Sequence, residues 1–229
     1  PNTGRVAVPD PRLDALASLA GSATVIPTQL EFVDIAGLVR GASKGEGLGN
    51  QFLATIREVD AIAHVLRCFD DNEITHVDGS VDPLRDAATV ETELMLADID
   101  SLERRMATLV KKTRGGEPDA KRDLAMMEKL FAGLSDGMPA RRVVGLSDEE
   151  TQRLPHMQLL SAKPILYVCN VAEGDVATGN DHSQAVATYA EKDGAAHVVV
   201  SAAIEAEITQ LDTDDKAEFL AELGLDEAG

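Results

Sequence analysis

The stretch Phe32-Val33-Asp34-Ile35-Ala36-Gly37-Leu38, followed by Gly41-Ala42-Ser43-Lys44-Gly45-Glu46-Gly47-Leu48-Gly49, decides how the chain is read. A strand-like run, Leu30 to Val33, stops at a carboxylate and then a glycine. A buried parallel strand delivers an acid to the carboxyl edge of a sheet in this way. In a phosphate-handling site such an acid holds Mg²⁺, usually through water. The glycine lets a backbone N–H approach a terminal phosphate closely. An isolated Asp-x-x-Gly also describes many strand-to-loop turns. Here it has a long glycine-rich continuation, and two further polar motifs stand at strand ends downstream.

Working outward, Val6 to Val8 reads as a short strand, and Asp10-Pro11 caps a helix running to Leu19. Thr28 to Asp34 is expected as the central strand. Asn50 caps a helix over 51–59, and Ala61 to Phe69 is a second buried strand. Ala88, Thr92, Met95, Ile99, Leu102, Met106 and Leu109 recur at alternating spacings of four and three. Ala120, Leu124, Met127, Phe131 and Leu134 do the same, across the polar turn Lys111 to Pro118. This pattern predicts an antiparallel coiled-coil hairpin whose stripe is a packing seam. Ser147-Asp148-Glu149-Glu150 opens a further helix with a capping box. Pro164 to Val168 is a strand ending in Cys169-Asn170-Val171-Ala172-Glu173. A helix over 182–192 leads to the strand Ala196 to Val200, which ends in Ser201-Ala202-Ala203. A last acidic helix covers 214–223. Strands alternating with helices, with polar motifs at the strand ends, predict an α/β fold with a parallel sheet.

The chain has 229 residues, 44% of them hydrophobic, enough for one large domain or one domain with an insertion. No apolar run approaches the ~20 residues of a membrane span, so no membrane partner is expected. Cys68 and Cys169 sit in apolar strands without metal-ligand spacing, as buried reduced thiols of a cytoplasmic protein would. The net charge of −19 argues against indiscriminate nucleic-acid binding by the whole surface. Residues 102–142, however, carry ten Lys/Arg against six acids, a net of +4. A basic island on an acidic chain predicts a local binding surface, centred on Lys111, Lys112 and Arg114 beside Gly115-Gly116.

Asp34-x-x-Gly37, Asn170-x-x-Glu173 and Ser201-Ala202-Ala203, in that order, resemble the motif series of a P-loop GTPase. Pro1-Asn2-Thr3-Gly4, the stretch Asp34 to Val39, the run Gly41 to Asn50 and Ile204-Glu205-Ala206-Glu207 resemble the YchF family of Obg-related NTPases. The similarity extends along the whole chain. It implies a Ras-like P-loop NTPase core with a mainly parallel sheet, interrupted by the helical hairpin. The domain reading is 1–85 and 143–229 as the two parts of the NTPase domain, with 86–142 as the coiled-coil insertion. No Walker A loop, no switch threonine before Pro1 and no C-terminal TGS domain occur in this sequence, so it is expected to be an interior segment of a longer protein. As it stands it lacks the loop that cradles phosphates, and is expected to be inactive alone.

The resemblance further implies ATP and GTP as ligands, Mg²⁺ as cofactor, slow hydrolysis acting as a conformational switch, and the ribosome or RNA as partner. Asp34 takes the Mg²⁺ role and Gly37 the γ-phosphate role. Asn170, Val171 and Glu173 take the base-reading positions, with Ser201, Ala202 and Ala203 as the base-supporting loop. In guanine-specific relatives a Lys and an Asp stand where this chain has Val171 and Glu173, so guanine selectivity is expected to fall. The Asn170 carbonyl is expected to accept from adenine N6. Leu38 occupies the position of the water-orienting Gln of Ras-like enzymes, and His76 matches the histidine proposed for catalysis in the family. The alternative reading is an RNA- or protein-binding scaffold with negligible turnover.

Overall fold

A computed structural model describes residues 2–35, 49–71, 73, 74, 76, 79–115 and 117–225. The chain divides into two compact units, Pro1–Leu38 and Val39–Gly229. In the first, β1 (Thr3–Ala7) pairs antiparallel with β2 (Gln29–Val33), Thr3 opposite Val33 and Ala7 opposite Gln29. Between them lies α1 (Pro11–Ala20); the Asp10 side chain caps its N-terminus and Gly21, at φ 63°, ends it in the left-handed conformation only glycine adopts freely. The expectation of a buried, parallel central strand at 28–34 is corrected here. Leu30 and Phe32 are about half exposed, and β2's partner is an antiparallel strand. Hydrophobic alternation specifies a strand but not its partner.

The second unit is built on a parallel sheet of β3 (Ile62–Arg67), β4 (Ile165–Asn170) and β5 (Ala196–Val200), in that spatial order. Before β3 stands α2 (Gly49–Glu58). The connection from β3 to β4 carries α3 (Pro83–Arg114), α4 (Pro118–Ser135) and the short α5 (Asp148–Arg153). The Asp82 side chain caps α3 and Pro83 fills its first turn. Ser147 and Glu150 form the capping box of α5 that the sequence predicts. The crossover from β4 to β5 is α6 (Asp181–Asp193), and α7 (Ala202–Ile208) and α8 (Thr213–Glu222) close the unit around Ile204, Ile208 and Leu220.

The two long helices form the hairpin, but not along the whole predicted stripe. Ala88 and Thr92 are exposed, whereas Ala87, Glu91, Leu94 and Asp98 are buried. The reason is length. The 32 residues of α3 span about 48 Å and the 18 of α4 only about 27 Å, so the first half of α3 outruns its partner. That half packs on the sheet instead, with Ala87 joining Leu66, Tyr167, Cys169 and Val186 in one core. From Met95 onward the seam is coiled-coil-like, with Leu102 against Met126, Met127, Leu130 and Leu134. Gly133 allows the segment after α4 to close on it, since an added Cβ would lie 2.5 Å from a Val143 methyl.

Buried polar groups fix the base of the hairpin. Asp98, with no exposed surface, accepts from the Leu160 and Ser161 amides at 2.8 Å and from the Ser161 hydroxyl at 2.7 Å. Burial pushes its carboxyl pKa up, and these three donors work in the opposite direction. Arg141 joins Glu91 of α3 to Asp193 at the end of α6, and the Tyr189 hydroxyl donates to Glu91 at 3.0 Å. Cys68 and Cys169 are free and buried, in keeping with the reading of reduced structural thiols. His64, on β3, is pushed down to about 4 by burial and is neutral at physiological pH.

Candidate nucleotide site

The carboxyl ends of the parallel strands are tied to one another by side chains rather than left as open loops. Asn170, the last residue of β4, accepts at Oδ1 from the Ala202 amide at 2.9 Å. Its carbonyl accepts from the Cys68 amide at 2.8 Å. The ladder runs one residue further through the Val171 amide to the Val200 carbonyl, 2.9 Å. Ser201 is buried at the start of α7, and Ala202 and Ala203 are exposed beside it. Asn170, Ser201, Ala202 and Ala203 are thus brought together. The amide oxygen expected to read adenine N6 already serves the loop. Among the described residues no partner takes the Asn170 Nδ2, a donor that suits the N7 acceptor common to both purines.

Val171 is placed differently from a base-covering residue. It is 2% exposed and packs in the core with Leu66, Tyr167 and Cys169. Glu173 opens the exposed single turn Glu173–Asp175. Sequence reading missed Asn180, which caps α6 and donates from Nδ2 to the Cys68 carbonyl at 2.7 Å and to Asp175 at 2.8 Å. The Gly179-Asn180 pair ahead of a helix, with Ser183 at capping-box spacing, is the sequence signal for it.

His76 lies in the segment between β3 and α3. Its Nε2 is 2.9 Å from Asp86 Oδ2, and both side chains are mostly covered. Arg67, at the end of β3, donates to the carbonyls of Phe69, Asp71 and Ile74 at 3.0–3.1 Å, holding the chain that leads to His76. Asp34 belongs to the first unit, exposed one residue beyond β2, with its amide donating to the Asn2 carbonyl at 2.8 Å. Among the described residues no group of three or more His, Cys, Asp or Glu is placed to hold a metal ion. A single strand-end carboxylate fits an ion whose remaining ligands are water and phosphate oxygens. Gly37, Leu38 and Lys44 lie outside the described residues.

At the hairpin tip Lys111, Lys112 and Arg114 are exposed, with no acidic partner among the described residues. Much of the rest of the basic island is already engaged. Arg122 faces Asp119 and Glu149, Lys129 faces Glu150, Arg141 and Arg142 face Asp193, and Arg105 donates to the Met157 carbonyl. The local charge excess is therefore partly internal; among the described residues Lys111, Lys112, Arg114 and Lys121 stand exposed without an acidic partner.

A parallel sheet with helical crossovers and polar motifs at its carboxyl edge defines an α/β domain of the GTPase class. The family described as "50S ribosome-binding GTPase" matches residues 17–103. Over all 229 residues the chain is 52% identical to the ribosome-binding ATPase YchF of Haemophilus influenzae, 49% over 230 aligned residues to that of Escherichia coli O157:H7, and 45% to that of Bacillus subtilis over 231. The structure of the Schizosaccharomyces pombe YchF GTPase matches 98% of the chain with a TM-score of 0.82 at 35% identity. The chain belongs to the YchF family, and its fold is that family's α/β GTPase fold. It spans 62% of the length of the H. influenzae and S. pombe proteins. Among the described residues no helix is long and apolar enough to cross a membrane.

Proposed function

We propose that this chain is the nucleotide-binding core of a ribosome-associated NTPase that binds ATP and GTP with Mg²⁺. It hydrolyses them slowly, and the nucleotide state switches its conformation. The observation that supports the reading is the Asn170–Ala202 bond, which ties the ends of β4 and β5 together at the edge proposed to receive the base. Asn170 donates to purine N7, the backbone around Ser201, Ala202 and Ala203 supports the base edge, and Glu173 lies where an Asp would select guanine. Val171 shapes the floor from the core side. Asp34 holds Mg²⁺ through water and Gly37 approaches the γ-phosphate, following the family motif. Mg²⁺ supplies charge neutralisation at the phosphates when bound. His76 orients or deprotonates the attacking water, since Leu38 has no group to do so. Lys111, Lys112 and Arg114 meet ribosomal RNA.

In the full-length protein, His76→Ala is expected to lower ATP turnover by about a hundredfold with little change in nucleotide affinity, the pattern of an interaction made only in the transition state. Single-turnover hydrolysis and equilibrium binding measure the two separately. Unchanged turnover removes His76 from the reaction.

A further inference from the structure

The geometry points to Asp86 as the positioning residue for His76. This inference rests on the reading of His76 given above and adds a group that the strand-end motifs do not contain. Asp86 stands in the first turn of α3, ten residues beyond the histidine, and its Oδ2 lies 2.9 Å from His76 Nε2. The contact is largely shielded, with the His76 and Asp86 side chains 16% and 23% exposed. A carboxylate on Nε2 fixes the ring orientation and favours the Nε2–H tautomer, which leaves Nδ1 as the free acceptor. A histidine asked to take a proton from water needs both.

The surroundings suit this role. Asp86 is itself anchored, its amide donating to the Asp82 carbonyl at 3.0 Å. Arg85 Nε is 3.6 Å from the other carboxylate oxygen, and Arg85 also donates to the Ser80 hydroxyl at 3.0 Å. The Gly79 amide donates to the His76 carbonyl at 3.1 Å, and Arg67 secures the chain before it. Among the described residues the charged groups on α3 at this contact are Asp86 and Arg85, while Arg67 of β3 holds the chain before the ring and His64 of β3 feels the Asp86 charge, which favours its protonation although burial outweighs it. The helix that presents Asp86 is the one whose far end carries Lys111, Lys112 and Arg114, about 40 Å away along its axis. One rigid element therefore joins the proposed ribosome contact to the group that orients the proposed catalytic histidine.

The test uses the full-length protein with MgATP. Asp86→Asn is expected to lower single-turnover hydrolysis at least about tenfold, with ATP affinity retained. Asp86→Glu should restore part of the rate. In ¹⁵N spectra of the neutral imidazole, Asp86→Asn should lower the fraction of the Nε2–H tautomer of His76, a change that loss of helix stability alone does not produce. If His76→Ala slows hydrolysis but Asp86→Asn leaves the rate and the His76 tautomer in place, the positioning role is overturned and the catalytic reading of His76 stands. If His76→Ala has no effect on turnover, both readings fall together.

Discussion

Arg141→Ala should destabilise the parallel-sheet unit by about 3–5 kcal/mol, the largest single-residue loss expected outside the apolar core. The guanidinium lies between Glu91 of α3 and Asp193 of α6, and the Asp193 side chain is 1% exposed. Burial disfavours the guanidinium charge, yet Glu91 and Asp193 more than offset it and raise the pKa. Removing Arg141 leaves Asp193 with Arg142 alone, at 3.2 Å, and leaves Glu91 with the Tyr189 hydroxyl. Two carboxylates then stay desolvated without their main counter-charge. Arg141→Lys should recover only part of the loss, because one ammonium cannot fork to both acids. Chemical denaturation of the isolated chain reads this directly, and a loss below about 1 kcal/mol would show the network to be solvated. The cluster bears on function because it fastens the root of the hairpin to the helix that links β4 and β5.

Reversing Lys111, Lys112 and Arg114 to Glu should weaken ribosome binding by the full-length protein at least about tenfold and flatten its salt dependence. Each phosphate contact contributes close to one unit to the slope of log affinity against log salt, so the slope should fall by about two to three. Nucleotide affinity should hold, because in the second unit the tip stands at the far end of α3 from β3 and β4. The whole-island charge excess, taken alone, is a weaker argument than it first reads. Arg141, Arg142, Arg122 and Lys129 are engaged with acids, several of them from outside the island. The three tip residues are exposed and unpaired among the described residues, which makes them the part to test. Ribosome affinity and salt slope that survive the triple reversal would make the tip an ordinary solvated face.

Local signals carried over into structure where a single element decides the outcome. The strand Ala196–Val200 has the bounds the apolar run predicts, and Asp10-Pro11 and the Ser147 capping box start their helices where expected. What failed depends on partners. Phe32 lies in an alternating apolar run, but its exposure is set by what covers the sheet. Ala88 and Thr92 fit a heptad, but α4 does not extend far enough to cover them. In α4, Met126 and Leu130 lie off the predicted stripe yet are buried, because that helix packs on α3 and also on Met157 and Leu159. The strand-end motifs put Asn170, Ser201, Ala202 and Ala203 at neighbouring strand ends, as the structure does, but without giving their bonds. Nothing in sequence says that Asn170 spends its oxygen on Ala202, 32 residues away, or that Asp86 faces His76. Val171 was read as a base position from its place in the motif, and the inward-pointing pleat makes it core.

The central claim is a purine site at the ends of β4 and β5 in which Glu173 replaces the guanine-selecting Asp. Calorimetric titration of the full-length protein with MgATP and MgGTP tests it most directly, beside the Glu173→Asp variant. Val171 stays unchanged, since a lysine there would bury its charge in the sheet core. The account predicts ATP bound at least as tightly as GTP by the unmodified protein, and a shift toward GTP of about tenfold in Glu173→Asp as a carboxylate of the right length pairs with guanine N1 and N2. Strong GTP selectivity in the unmodified protein, or an unchanged ATP-to-GTP ratio in Glu173→Asp, would contradict it.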